Sequence, residues 1–160
     1  MSKSLNVSVG NVNLKSPIIL ASGTCNFGRE LAEYYDLNIL GGISSKGLTI
    51  KPRVGNPGVR VAECDSGMLN SVGLQNPGVH YFIENDLDFM KESGAAVIVN
   101  VAGHSFEDYI NMVTTLDPHK DKIDALEELG VRVAPISDRI GDTLIEVLKE
   151  HGLLDKCIVK

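Results

Sequence analysis

The sequence predicts an α/β fold with an open, mainly parallel sheet, and three observations predict it. Apolar runs of buried-strand length lie at Ile18–Ala21, Ile39–Ser45 and Ala96–Val101. Helix-like segments separate them, and alternation of strand with helix is the signature of a parallel sheet. Each run ends in small or polar residues: Ser22-Gly23-Thr24, Lys46-Gly47, and Asn100 followed by Ala102-Gly103. Ligands bind parallel sheets at those C-terminal strand ends.

The elements follow in order. Leu5–Val9 alternates, Gly10-Asn11 turns and Val12–Leu14 alternates again, which predicts a small β-hairpin. Pro17 opens the first buried strand. Arg29–Tyr35 reads as a helix, and Ile39–Ser45 as the next strand. A Pro/Gly-rich excursion, Lys51–Gly58, leads to an alternating edge strand at Val59–Glu63. A helix is expected from about Val79 to Ser93, with Gly94 as its C′ residue. Ala96–Val101 is the clearest strand. Ser105–Leu116 reads as a helix, and a second one is expected from Pro118 to Leu129, with Asp117 as N-cap, Pro118 at N1 and Ile123, Leu126 and Leu129 on one face. Gly130 ends it, Val131–Ala134 reads as a strand, and Ser137 or Asp138 caps a last helix to about His151.

Composition narrows the function classes. The 160 residues suffice for one domain with a core. A formal net charge of −6 argues against a nucleic-acid partner. No apolar run reaches membrane-spanning length and the N-terminus lacks a signal-peptide core, so a cytoplasmic location and no membrane partner are expected. Cys25, Cys64 and Cys157 form no C-x-x-C pair, and the four histidines lack ligand spacing, so no metal site is predicted. Cys25 has no acid–base neighbour in sequence and is given no catalytic role.

The chain is organised around Asn70-Ser71-Val72-Gly73-Leu74-Gln75-Asn76-Pro77-Gly78. Gly73 can take a positive φ and admit a ligand close to the backbone. Asn70 and Asn76 offer amide donors and acceptors to a planar polar ligand. Singly, Ser22 reads as a cap, Lys46 as a solvated charge and Asn100 as a bulge residue. Together with the Asn70 loop they fall on one sheet edge, which favours a site.

Those residues, taken as Leu14 to Gly23, Ser45-Lys46-Gly47-Leu48-Thr49, Asn70 to Gly78 and Ile98 to Gly103, resemble dihydroorotate dehydrogenase. The resemblance covers residues 4–117 and is closest to the class 1 catalytic subunit that pairs with an iron–sulfur electron-transfer subunit. It implies oxidation of dihydroorotate to orotate with FMN in pyrimidine biosynthesis. It assigns Ser22, Lys46, Gly47 and Asn100 to FMN, and Lys46, Asn70, Ser71, Val72, Gly73 and Leu74 to the substrate. The family fold is a (β/α)₈ TIM barrel of about 250 residues or more, so a half barrel is expected here.

The chain then departs from the family. The family's next strand ends in an Asn-(Ile/Leu)-Ser-Cys-Pro-Asn motif that carries the catalytic Cys, and no such motif follows Asp117. No catalytic residue is therefore assigned, and FMN binding is expected to be weak or absent. Residues 120–148 resemble instead the flavodoxin-like end of the succinyl-CoA synthetase α-subunit. A junction near 117–120 is expected, between a 1–117 half barrel and a flavodoxin-like helix–strand–helix end at 118–160. Its origin is either fusion, by recombination or engineering, or a natural truncated gene product. With too few strands for a closed barrel, the sheet is expected to stay open or to cover its edges by homo-oligomerisation.

Overall fold

The computed structural model describes residues 4–10, 12–128 and 157–158. A five-stranded parallel sheet forms its centre: β3 (Ile19–Leu20), β4 (Gly42–Ser44), β7 (Ala96–Val101), β8 (Ala125–Glu128) and β9 (Cys157–Ile158). Spatial order equals chain order. An antiparallel hairpin, β1 (Val7–Val9) with β2 (Val12–Leu14), precedes the sheet as expected.

Side-chain alternation divides the sheet into two faces. Ile43, Val97, Val99, Val101 and Leu126 pack into the main core beneath the helices. On the opposite face Ile98 and Ala125 form a smaller apolar cluster with Val12 and Leu14 of the hairpin. The hairpin therefore plugs this inner face toward the N-terminal ends of the strands. Further along the same face stand Ser44, Asn100 and Glu127, which alternation places in line with Ile98 and Ala125.

The helical layer is assembled from short pieces. α1 spans only Arg29–Ala32. The residues expected to continue it, and to begin the next strand, form a turn and a 3-10 helix at Leu37–Ile39. Asp36 caps that 3-10 helix by accepting from the Asn38 N–H at 2.9 Å. The helix expected over Val79–Ser93 is broken into α2 (Val79–Asn85) and α3 (Leu87–Glu92). The break falls at Asp86, whose φ is −121° and whose nearly buried carboxylate accepts from Arg29 Nε at 2.7 Å. Arg29 in turn stacks on the Phe89 ring at 4.3 Å. α4 (Phe106–Leu116) agrees with the sequence reading. Ser105 and Asp108 form a reciprocal capping box, and Tyr109, Met112, Val113 and Leu116 present one buried stripe.

The second helix, expected from Pro118 to Leu129, is not formed over the described residues. Asp117 continues out of α4 in helical conformation rather than capping a new helix. A 3-10 turn at Asp117–Lys122 leads into β8, so βα alternation continues through residue 128. The helical spacing of Ile123 and Leu126 was a coincidence: each is buried, and register pairs Leu126 with Val99. Val59–Glu63 is likewise no edge strand of the main sheet. β5 (Val61–Cys64) pairs with β6 (Gly67–Asn70) in a separate, wholly exposed hairpin. The strand at 131–134 and the helix ending near 151 fall outside the described residues. No helix among the described residues is long and apolar enough to cross a membrane.

Leu126 tests the core position of β8. As a core strand residue, 3% exposed, its change to Ala should lower unfolding free energy by about 2–5 kcal/mol in a denaturant titration. A loss below about 0.5 kcal/mol would place Leu126 outside the core.

Candidate functional site

The polar end of the inner face is built by the meeting of β4 and β7. Beyond Ser44 the chain keeps following β7 without regular strand geometry. The Ser45 hydroxyl accepts from the Asn100 N–H at 3.0 Å, and Leu48 N–H donates to the Asn100 carbonyl at 2.9 Å. Lys46 and Gly47 lie between those two anchors, so their position is fixed relative to Asn100. Ser44 donates its hydroxyl proton to Glu127 Oε2 at 2.6 Å. Asn100 is 2% exposed, and its side-chain oxygen has no hydrogen-bond partner among the described residues. A buried acceptor left unpaired costs about 1–3 kcal/mol, so this atom marks a place where an added donor is stabilising.

Beside this cluster lies a cleft of about 730 Å³, bordered by Lys46, Arg53, Val72 and Asn76, with Arg29 and Asp86 at the helical side. Asp86 is committed to Arg29. Lys46 is half-buried, and its ammonium makes no hydrogen bond or ion pair among the described residues. Arg53 reaches His104, on the loop between β7 and α4. The cleft lining thus carries an excess of positive charge although the chain is acidic, a field that favours anions.

The outer wall of the cleft is the excursion between β4 and α2, a flap folded on itself. Arg53 and Asn76 exchange backbone hydrogen bonds at 2.9 and 3.0 Å. Asn56 N–H donates to the Val72 carbonyl at 3.0 Å, and the Asn56 amide donates to the Ser71 carbonyl and hydroxyl. Arg60 ties Val54 to Gln75. Asn76 pins the base. Its oxygen accepts from the N–H groups of Thr49 and Gly78, and its nitrogen donates to the Leu74 carbonyl and the Thr49 hydroxyl.

These contacts revise several expectations. Asn76 serves its own backbone rather than a ligand. Gly73 has φ +76°, and a Cβ there would lie 2.6 Å from the Asn56 side chain; its bareness accommodates Asn56. Asn70 is a strand residue of the exposed hairpin, paired with Val61, and does not border the cleft. Ser71 is exposed and bound to Asn56, whereas Val72 does face the cleft. Leu74 adopts φ +54°, an unusual conformation for a branched residue. Ser22 is half-buried in the turn after β3, beside cleft-lining Gly23, and Gly47 is buried. Lys46, Gly47 and Asn100 are therefore brought together, with Ser22 near the cleft and Asn70 apart. Ser44, Glu127 and Arg53 were missed. Glu127 was recoverable only by reading Ala125 and Glu127 as alternate strand residues.

The thiols behave differently from one another. Burial pushes the Cys25 thiol above its ordinary value, against a smaller opposing effect of the Thr24 hydroxyl, while Glu30 adds to the rise. Cys64 is exposed. Among the described residues no group of three or more His, Cys, Asp or Glu side chains is arranged to hold a metal ion.

A family model described as dihydroorotate dehydrogenase matches residues 4–126. The "Dihydroorotate dehydrogenase B (NAD(+)), catalytic subunit" of Thermoanaerobacter pseudethanolicus is 53% identical over 123 residues, 77% of this chain and 40% of that protein. The protein of the same description from Alkaliphilus metalliredigens is 50% identical over 112 residues, 70% of this chain and 37% of its own length. The chain thus spans about 40% of the length of the curated relatives it matches. Among solved structures, a DHODH from Eimeria tenella in complex with ferulenol superposes with a TM-score of 0.58 at 16% identity. It covers 92% of this chain and 43% of its own, a likeness of fold.

Two outcomes test this geometry. Asn76→Ala should destabilise the chain by about 1–3 kcal/mol, since it orphans buried backbone groups, whereas Asn70→Ala should stay within about 0.5 kcal/mol; paired denaturant melts decide. In alkylation followed by peptide mass spectrometry, Cys64 should react before Cys25. The Cys25 rate should still climb above pH 9.0, the ordinary thiol value, because the thiolate is the nucleophile.

Proposed function

Since the chain belongs to the dihydroorotate dehydrogenase family, we propose that it presents the flavin- and substrate-facing edge of that enzyme and binds the ligands weakly. The observation that carries this reading is the buried Asn100 oxygen, without a partner among the described residues, on a residue whose backbone is held by Ser45 and Leu48 on either side of Lys46. An orphaned acceptor suits a heterocycle with its own N–H donor, so the residues present fit the ring of FMN. Lys46, Gly47 and Asn100 would hold that ring, with Ser22 at the margin. FMN, when bound, supplies hydride acceptance; the protein supplies placement and charge. The Lys46 ammonium orients and stabilises an anion such as the dihydroorotate carboxylate, and Arg53 adds positive charge at the cleft wall. Val72 and the flap exclude water from that side of the cleft. Backbone groups of Gly73 and Leu74 form part of the proposed substrate contact; Asn70 and Ser71 contribute only if the hairpin moves.

Family barrels hold the FMN phosphate on loops after later strands. Oxidation of dihydroorotate, and pairing with an electron-transfer subunit, are proposals for the whole family enzyme rather than for this chain alone. The second reading, a non-catalytic α/β scaffold with a remnant flavin edge, is favoured by one feature. After β8 the sequence runs Leu129-Gly130-Val131 and offers no cysteine of the family motif. In this reading the chain is a single α/β domain with a flavodoxin-like end. Because the family match reaches residue 126, we put the junction after β8 rather than at 117–120.

Titration of the chain with free FMN should give saturable flavin quenching but no stoichiometric flavin after gel filtration. Lys46→Ala and Asn100→Ala should each weaken binding by about tenfold or more, the value of a hydrogen bond to a charged or buried group. A yellow protein that keeps one FMN through gel filtration overturns the weak-binding reading, and no quenching at all overturns the site.

A further inference from the structure

Lys46 sits where the sheet loses a strand. Along β4 the backbone N–H groups of successive residues point to opposite neighbours. Gly42 N–H donates toward β3, to the Ile18 carbonyl at 3.3 Å, and Ser45 N–H donates toward β7, to the Ile98 carbonyl at 2.8 Å. The Lys46 N–H, an even number of residues beyond Gly42, points to the β3 side again. β3 ends at Leu20, opposite Ile43, and the pairing of the two strands stops there. The loop that follows β3 takes the donor instead: Lys46 N–H bonds the Asn26 carbonyl at 3.0 Å.

The backbone of Asn26 is turned to make that bond. Its φ is +53°, in the left-handed region that asparagine tolerates better than other residues bearing a Cβ. Both neighbours hold it there. Cys25 and Phe27 are buried in the core, Phe27 against Phe82 with ring centroids 5.3 Å apart. Gly28 N–H closes the turn on the Cys25 carbonyl at 2.7 Å. Asn26 is the exposed residue between them, and it borders the cleft together with Lys46. An uncommon backbone conformation beside a cleft, enforced by packing on both sides, is a mark of function. We propose that Asn26 is the positioning residue of Lys46: its left-handed turn supplies the carbonyl that β3 no longer offers, and so fixes the backbone that carries the Lys46 ammonium at the cleft. Ser45 and Leu48 hold this segment on the β7 side, and Asn26 holds it on the other. The backbone conformation at residue 26 matters here, and the carboxamide does not. Only the ligand readout of this inference rests on the flavin-facing reading proposed above.

Two substitutions separate backbone from side chain. Asn26→Gly deletes the carboxamide and keeps the positive φ; Asn26→Val deletes the carboxamide and opposes that φ. Amide hydrogen exchange is followed by NMR on the full 160-residue chain without ligand, and FMN affinity by flavin quenching. Asn26→Val should speed Lys46 N–H exchange and weaken FMN binding, each by about tenfold or more. The Leu48 and Ala102 N–H groups, which tie the segment to β7, should stay protected; they distinguish local release of Lys46 from unfolding of the chain. Asn26→Gly should match the parent chain in both readouts, and Asn26→Ala, which is less strained than valine, should fall between. Unchanged Lys46 exchange in Asn26→Val and Asn26→Ala overturns the inference, as does loss of protection in Asn26→Gly equal to that in Asn26→Val. Faster exchange with FMN affinity unaltered overturns it too, because Lys46 then needs no such hold. Weaker FMN binding by Asn26→Gly with Lys46 still protected assigns the carboxamide a ligand contact and overturns it as well. Absence of quenching by the parent chain sinks the flavin reading, and the exchange rates still decide whether Asn26 holds Lys46.

Discussion

Alternation along β7 is the constraint on which the rest of this structure depends. Six consecutive residues must satisfy two environments at once. Val97, Val99 and Val101 face the helices, and Ile98 and Asn100 face inward. Because β7 is central, with β4 on one side and β8 on the other, its register sets theirs. A slip by one residue would drive Asn100 into the helical core and turn three valines toward the hairpin plug. The polar cluster of Ser44, Asn100 and Glu127 is the inner-face continuation of an apolar stack that begins at the plug. The site is therefore positioned by packing beneath it rather than by the loops above it.

The flap illustrates a different economy. It is long, and its hairpin exposes both faces, yet its root is tightly determined. One buried amide, Asn76, serves four backbone or hydroxyl groups across Thr49, Leu74 and Gly78. Asn is suited to this because it carries two donors and an acceptor in a rigid plane. Apolar contact contributes little to the flap, where Val54, Val59, Met68 and Leu69 are all largely exposed. Order in this segment comes from polar groups satisfying one another, so its stability is local.

How much of this was legible in the sequence depended on which signal was strong. The continuous run Ala96–Val101 and the helical run Ser105–Leu116 carry clear patterns, and the structure has a strand and a helix there. Ile123-Asp124-Ala125-Leu126 was misread because short apolar spacings fit a helix and a strand equally well; burial on both faces, which decides the matter, is a tertiary property. The break at Asp86 was not legible in the sequence, and the Arg29 that its carboxylate binds there lies 57 positions away. At the site, Lys46 and Asn100 followed from their place at strand ends. The role of Asn76 was misjudged, since an amide that binds its own turn and one that awaits a ligand are alike in sequence.

Strand order that equals chain order has a consequence for how the molecule is made. Each strand after β3 pairs with the strand of the sheet that precedes it in sequence, so every pairing surface exists before the segment that needs it is synthesised. A chain emerging from the ribosome N-terminus first can add one βα unit at a time without undoing an earlier pairing. Loop closures are limited to neighbouring units, which keeps the entropic cost of each step small. Among the described residues, growth in this order adds no later strand to the outer edge of β3, the first one laid down.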